Sequence, residues 1–153
     1  MGEEKFGDNI ENFVSQEHKL EEESQKPDYT RTIDKRGRII IPLELRKELQ
    51  EDLDHEEEVM IIKTAENVAG HELFRICTHK EWQDLENKAK ERSKDFQRMF
   101  YANTFHTKIR SQGRVRVPDE MITGLDLEKA GPQVGIIEKE KRIYIYLIPP
   151  DKD

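Results

Sequence analysis

Two clusters of cations stand at matching positions around two glycines. Asp34, Lys35, Arg36 and Arg38 surround Gly37, and 76 positions later Arg110, Arg114 and Arg116 surround Gly113, with Lys108 two residues ahead. A guanidinium is planar, always charged and presents a fork of N–H donors, which fits phosphate oxygens and the O6/N7 edge of guanine. Arg38 and Arg114 each follow the glycine directly. They are expected at the base of a hairpin tip, where a two-stranded ribbon could enter a major groove roughly 12 Å wide. Lys35 and Arg36 at the first tip are expected to touch phosphates. Lys108, Arg110, Arg114 and Arg116 make a denser cation surface in the second half. A carboxylate at position 34 has two available tasks, bonding the turn amides and orienting Arg38, and both remain open. The ordinary alternative for each arginine is a solvated strand residue that holds its own turn.

Other chemistries find less support. No nucleophile with its base, no phosphate-cradling glycine loop and no acid/base pair of carboxylates can be read from the chain, so no enzyme, cofactor or small-molecule substrate is expected. His71, Cys77 and His79 are three candidate metal ligands without a fourth, and they fall on opposite sides of an expected strand. Arg46 lies one helical step beyond an apolar leucine. It could pair with the acidic segment ending at Glu58 or reach nucleic acid.

The elements that would carry the cations repeat. Ile33-Asp34-Lys35-Arg36-Gly37-Arg38-Ile39-Ile40-Ile41-Pro42 and Ile109-Arg110-Ser111-Gln112-Gly113-Arg114-Val115-Arg116-Val117-Pro118 share one pattern of strand, tight turn, Gly-Arg, short apolar strand and proline. One supersecondary unit used twice follows. Asp at the first turn position and Gly where positive φ is needed predict tight hairpins over 30–41 and 106–117. Alternation puts Val115 and Val117 on one face and Arg114 and Arg116 on the other. Pro42 suits the start of a short helix over 43–49, with Leu45 and Leu49 buried. Strands are predicted over 58–63 and 72–77 with a polar connection over 64–71, and over 134–138 and 142–146 in the second half. Thr78 and Glu81 form a capping box opening a single long helix to about Tyr101, with Trp82, Leu85, Ala89, Phe96, Met99 and Phe100 as its apolar stripe.

Charge is sorted along the chain. The total of −7 over 153 residues argues against nucleic acid taken alone. Residues 1–29, however, hold nine acidic and three basic side chains, which leaves the remainder nearly neutral. Residues 105–117 carry four basic and no acidic side chains, whereas 48–58 carry seven acidic and no basic ones. The expected organisation is a disordered acidic tail over 1–28, a first half over 29–77, a connecting helix over 78–104 and a second half over 105–153. No apolar run is long enough to span a bilayer, the acidic start lacks signal-peptide features, and Cys77 has no cysteine partner. These features predict a cytoplasmic protein.

A Tyr-x-x-x-Ile-Asp-Lys-x-Gly-Arg-x-x-Ile-Pro block from Tyr29, a helix with Arg46, a strand pair, a helix opened near Trp82 and a second Gly-Arg-Val-x-Val-Pro block resemble the MraZ proteins of the AbrB-like swapped-hairpin superfamily. The resemblance spans roughly residues 29–148. It implies a mainly β fold with helices (α+β), a pseudo-twofold swapped-hairpin β-barrel of two interlocked halves, and subunits assembled into a homo-oligomeric ring. It also implies a nucleoid-associated transcription regulator that binds double-stranded DNA at repeated short sites near a division and cell-wall gene cluster. The superfamily's Asp-x-x-x-Arg hallmark is met by Asp34 and Arg38. In the second half Arg114 meets it, but Arg110 stands where Asp is expected. The alternative class is an interaction protein that binds a protein partner, as antitoxins of the superfamily do.

Overall fold

The structure is a computed structural model, and it describes residues 26–149 apart from 52, 54, 129 and 130. In chain order the elements are β1 (Tyr29–Thr32), β2 (Arg38–Ile40), α1 (Leu43–Arg46), β3 (Glu57–Val68), β4 (His71–Thr78), α2 (His79–Ala89), α3 (Lys94–Ala102), β5 (Thr104–Ile109), β6 (Arg114–Arg116), α4 (Asp119–Ile122), β7 (Gln133–Lys139) and β8 (Arg142–Ile148). All eight strands belong to one antiparallel sheet in the order β1-β7-β8-β4-β3-β5-β6-β2. The two end strands, β1 and β2, are separated in sequence only by residues 33–37, so the sheet must curl back on itself into a nearly closed barrel. Its strand order reads the same from either end of the β1-to-β5 run when the two halves are exchanged.

The first expected hairpin does not form as a ladder. A tight turn is present, with the Asp34 amide donating to the Arg38 carbonyl at 2.9 Å and the Gly37 amide to the Asp34 carbonyl at 3.0 Å. Past that turn the arms part: β1 pairs with β7 and β2 pairs with β6, both from the second half. The second unit keeps one rung of its own hairpin, Ile109 opposite Val115, before β5 runs alongside β3. The reason is burial. Ile33, Ile39 and Ile41 leave water in a cluster shared by both halves, with Val115, Val117, Val134 and Ile136 of the second beside Leu45, Val59 and Ile61 of the first.

That cluster fills the barrel. Period-two alternation sends Val59 and Ile61 of β3 and Phe74 and Ile76 of β4 inward, while Met60, Ile62 and Cys77 point outward under the helices. Leu45 and Leu49 are buried, as their spacing predicts, although the regular helix ends at Arg46.

The predicted single long helix is two. The capping box forms as expected, with Thr78 accepting from the Glu81 amide and Glu81 from the Thr78 amide. The helix stops at Ala89, and Ser93 caps a second one by accepting from the Phe96 amide at 3.1 Å. Trp82 and Phe100 explain the break. In a straight helix residues 18 apart would be about 27 Å apart, yet their rings stack with centroids 5.7 Å apart. Folding back covers the outer face of β3 and β4 with both apolar stripes. The polar connection predicted over 64–71 is also corrected. Both strands extend to a two-residue turn in which Ala69 and Gly70 take positive φ, and the buried Thr64 satisfies its hydroxyl on the Leu73 carbonyl at 2.8 Å.

The body also begins earlier than expected. Asp28 is tied to β7 through its amide to the Ile136 carbonyl and through its carboxylate to the Glu138 amide, each at 2.8 Å. Residues 1–25 of the predicted tail lie outside the described residues. Among the described residues no helix is long and apolar enough to cross a membrane.

Because each half supplies strands that complete the other's sheet, segments 30–77 and 105–148 expressed separately are expected to lack a cooperative unfolding transition. Mixing them should restore one. Denaturant titration followed by far-ultraviolet circular dichroism checks this, and a cooperative transition in either segment alone would show that a half closes without its partner.

Candidate nucleic-acid interface

The central element is a ribbon of two three-residue strands, one from each half. In its register Arg38 faces Arg116, Ile39 faces Val115 and Ile40 faces Arg114. The rungs continue beyond the strands: the Ile41 amide donates to the Gly113 carbonyl at 2.8 Å, and the Val117 amide donates to the Gly37 carbonyl at 2.9 Å. These two bonds exchange under the 76-residue repeat. Each turn is thereby pinned to the strand end of the opposite half. Ile39, Val115, Ile41 and Val117 point into the barrel, so Arg38, Ile40, Arg114 and Arg116 share the outer face, as alternation predicts for the second strand.

Both glycines need their conformation. Gly37 has φ of 76° and Gly113 has φ of 82°, a region that L side chains rarely adopt. They are also covered by the other half. A Cβ at Gly37 would lie 3.0 Å from Ile122, and one at Gly113 would lie 2.9 Å from the Arg46 side chain. Ile122 and Arg46 occupy the same place in the repeat, so each short helix packs a side chain over the opposite turn.

Asp34 performs both tasks left open by its position. Its Oδ1 accepts from the Arg36 and Arg38 amides, both at 2.9 Å, and its Oδ2 accepts from Arg38 Nε at 2.9 Å. Burial pushes its carboxyl pKa up, but the bonds from the Arg38 and Arg36 amides and the Arg38 guanidinium outweigh burial and leave it below the usual carboxylate range. Arg38 is thus oriented through Nε.

The second turn reaches the same backbone shape without that carboxylate. The Arg110 amide donates to the Arg114 carbonyl at 3.0 Å, and the Gly113 amide to the Arg110 carbonyl at 2.8 Å. Arg110 turns outward to pair with Glu56. Arg114, half-buried, has no ion-pair partner among the described residues. Arg46 takes part in holding this turn, and among the described residues its acceptors are neutral groups, two of them inside the acidic segment itself. It donates to the Gln50 side chain at 3.0 Å, to the Leu53 carbonyl at 3.1 Å and to the Ser111 carbonyl. Gln50, nearly fully buried, donates in turn to the His55 carbonyl at 2.9 Å and the Arg110 carbonyl at 3.3 Å. Sequence reasoning missed Gln50, although its place four residues after Arg46 on one helical face was the available signal.

Taken together, the two cation clusters are one. Arg36, Arg38, Lys108, Arg110, Arg114 and Arg116 line a single groove with Thr107, and no carboxylate among the described residues lines it. Arg116 keeps a loose contact with Asp119 at 3.4 Å, both side chains being well exposed, so it remains available to a ligand. Lys35 sits exposed at the first tip. The candidate metal ligands are not assembled: His71 and Cys77 stand at opposite ends of β4, about 20 Å apart for six strand residues. Burial pushes the Cys77 thiol up to about 12, which makes it a core group rather than a nucleophile or ligand.

Residues 25–103 match the model of the MraZ protein family, a group described as antitoxin-like. The chain is similar to the transcriptional regulator MraZ of Alkaliphilus oremlandii, 32% identical over 115 residues that cover 71% of this chain and 73% of that protein. It is similar to the proteins of the same name from Caldanaerobacter subterraneus, 29% identical over 71% of this chain and 72% of that one, and from Thermoanaerobacter sp., 30% identical over the same shares. The solution structure of PHS018 from Pyrococcus horikoshii aligns with 82% of this chain and 91% of its own at 18% identity, but with a TM-score of 0.28 it has no bearing on the fold.

Asp34 gives a pH-dependent test. Its pKa is depressed on folding, so its contribution is fully present above the unfolded carboxyl value and is lost as pH falls through the lower folded value. Asp34→Asn is expected to cost about 1 kcal/mol at neutral pH, a modest figure because the carboxylate is partly exposed and screened. The variant should also lack the part of the acid destabilisation that the native protein shows below about pH 4. Urea unfolding from pH 7 to pH 2.5 checks both, and equal acid sensitivity in the two proteins would remove Asp34 as a titrating brace.

Proposed function

We propose, from the premise that the chain belongs to the MraZ family, that it is a transcriptional regulator which grips double-stranded DNA with the β2–β6 ribbon and its two flanking turns. The observation that carries this reading is the groove lined by six basic side chains and, among the described residues, no carboxylate, in a chain whose total charge is −7. A net acidic protein that gathers six of its 26 basic side chains on and beside one outward ribbon is suited to a polyanion met on that face. The relatives named transcriptional regulators support the same reading.

In this reading Arg38 and Arg114 reach base edges, with guanine O6 and N7 as the fitting acceptors. Arg38 arrives oriented by Asp34 and Arg114 does not. Lys35, Arg36, Lys108, Arg110 and Arg116 hold phosphates on either side. The Arg110 pair with Glu56 is solvent-exposed on the arginine side and can be exchanged for a phosphate at little cost. One ribbon makes few contacts, so homo-oligomers, a ring in the simplest case, would bind repeated short sites with avidity gains of about 10² to 10⁴. Sites upstream of a division and cell-wall gene cluster, including the gene for this chain, are the proposed targets. The antitoxin-like description of the family favours one alternative, a protein partner on the same body, which would leave specific DNA binding weak or missing.

Titration of the full-length protein against DNA from upstream of its own gene, at several salt concentrations and with a scrambled competitor, tests the reading. Arg38→Ala and Arg114→Ala are each expected to cost about 1 to 3 kcal/mol on the specific duplex and less on the scrambled one. Lys35→Ala and Arg36→Ala should weaken both duplexes alike and reduce the salt slope by about one counterion each. Equal affinity of the native protein for the two duplexes would overturn sequence-specific binding.

A further inference from the structure

The outer face of the β2–β6 ribbon breaks the repeat at one position. Under the 76-residue offset Ile40 stands where the second half has Arg116. Both side chains point away from the barrel, and Ile40 is 49% exposed, which is unusual for a large apolar side chain among the described residues. The register makes the consequence local. At one end of the ribbon two guanidiniums stand side by side, Arg38 opposite Arg116. At the other end Arg114 stands opposite Ile40. Cross-strand partners on one face hold their Cβ atoms about 5 Å apart, so Arg114 and Ile40 would meet the same or neighbouring base pairs in a groove. Solvation gives no reason to expose a sec-butyl group between cations, and its burial in the barrel is closed off by the alternation that sends Ile39 and Ile41 inward.

We propose that Ile40 is a specificity-determining residue that packs on the C5-methyl group of a thymine, beside the guanine taken by Arg114. This rests on the DNA-binding reading above. The major groove presents that methyl group only at thymine, and an aliphatic side chain is the chemistry that recognises it. The backbone is close to twofold while the chemistry of its two ends differs. The preferred site is therefore polar rather than palindromic: one end is read by two arginines, and the other by an arginine and a methyl contact. This also gives the second half a role that does not require an Asp at position 110, because Ile40 supplies selectivity at the end where Arg114 lacks a carboxylate brace.

The test replaces methyl groups on DNA without changing hydrogen bonds. Full-length protein is used to select duplexes from a random-sequence library, and each thymine of an enriched duplex is then replaced singly by uracil. Loss of one buried methyl contact is expected to weaken binding about fourfold at one thymine next to a guanine that Arg114→Ala ceases to distinguish. Ile40→Ser should bind thymine and uracil duplexes equally at that position, with its oligomeric mass unchanged. Three outcomes would overturn the assignment: an enriched duplex insensitive to uracil everywhere, a thymine preference that survives in Ile40→Ser, or a preference lost in Ile40→Ser only together with a changed oligomeric mass. The first two leave the DNA-binding reading standing. If no duplex is enriched at all, that reading falls and this one with it.

Discussion

The exchange of backbone hydrogen bonds between the two turns and the two short strands is the constraint on which the rest depends. Ile41 to Gly113 and Val117 to Gly37 fasten each half's strand end to the other half's turn. A net gain of about 1 kcal/mol for each bond is small. Its effect is large because the same ladder places Ile39 and Val115 back to back in the barrel, and full burial of each such side chain contributes about 1.5 to 3 kcal/mol. Sheet closure, core formation and display of the arginines are therefore one event. Loss of either glycine would disturb all three, since the short helix of the opposite half leaves no room for a side chain at Gly113 and little at Gly37.

Placing the cations on and beside this ribbon gives a net acidic chain a locally basic groove. The barrel interior takes every second residue of β2 and β6, so the alternate residues are forced outward together whatever their charge. Four of the six groove cations come from the second half and two from the first, and only the closed sheet makes them neighbours. Among the described residues three carboxylates pair with them. Asp34 is spent on the turn amides and Arg38, Glu56 on Arg110, and Asp119 reaches Arg116 only loosely.

The two turns show that one backbone shape can be held in two ways. The first is braced from within by the Asp34 carboxylate. The second is braced from across the molecule by Arg46 and Gln50, which grasp the carbonyls of Ser111 and Arg110. Arg in place of the expected Asp at position 110 thus leaves the turn intact, and among the described residues Arg114 has no carboxylate partner such as Asp34 gives Arg38.

Much of this was legible in the chain itself. The repeat, the positive-φ glycines, the outward alternation of Arg114 and Arg116, the capping box at Thr78 and the buried Leu45 and Leu49 all follow from local patterns, because turns, caps and side-chain alternation are decided within a few residues. The partners of the strands were not legible. Nothing local in Ile39-Ile40-Ile41 says that it pairs with Val115 rather than with Thr32, and a ladder between distant segments is chosen by which apolar faces can be buried together. The same holds for the helix that breaks after Ala89, where the stacking of Trp82 on Phe100 outweighs continuity. It holds for the reach of Arg46 to the Ser111 carbonyl, an acceptor 65 residues away that only the folded barrel brings close, whereas its bonds to Gln50 and Leu53 are local. Sequence fixed the local chemistry of each turn, and tertiary pairing decided that two separate cation clusters would become a single groove, since only burial of the barrel's interior makes β2 and β6 adjacent.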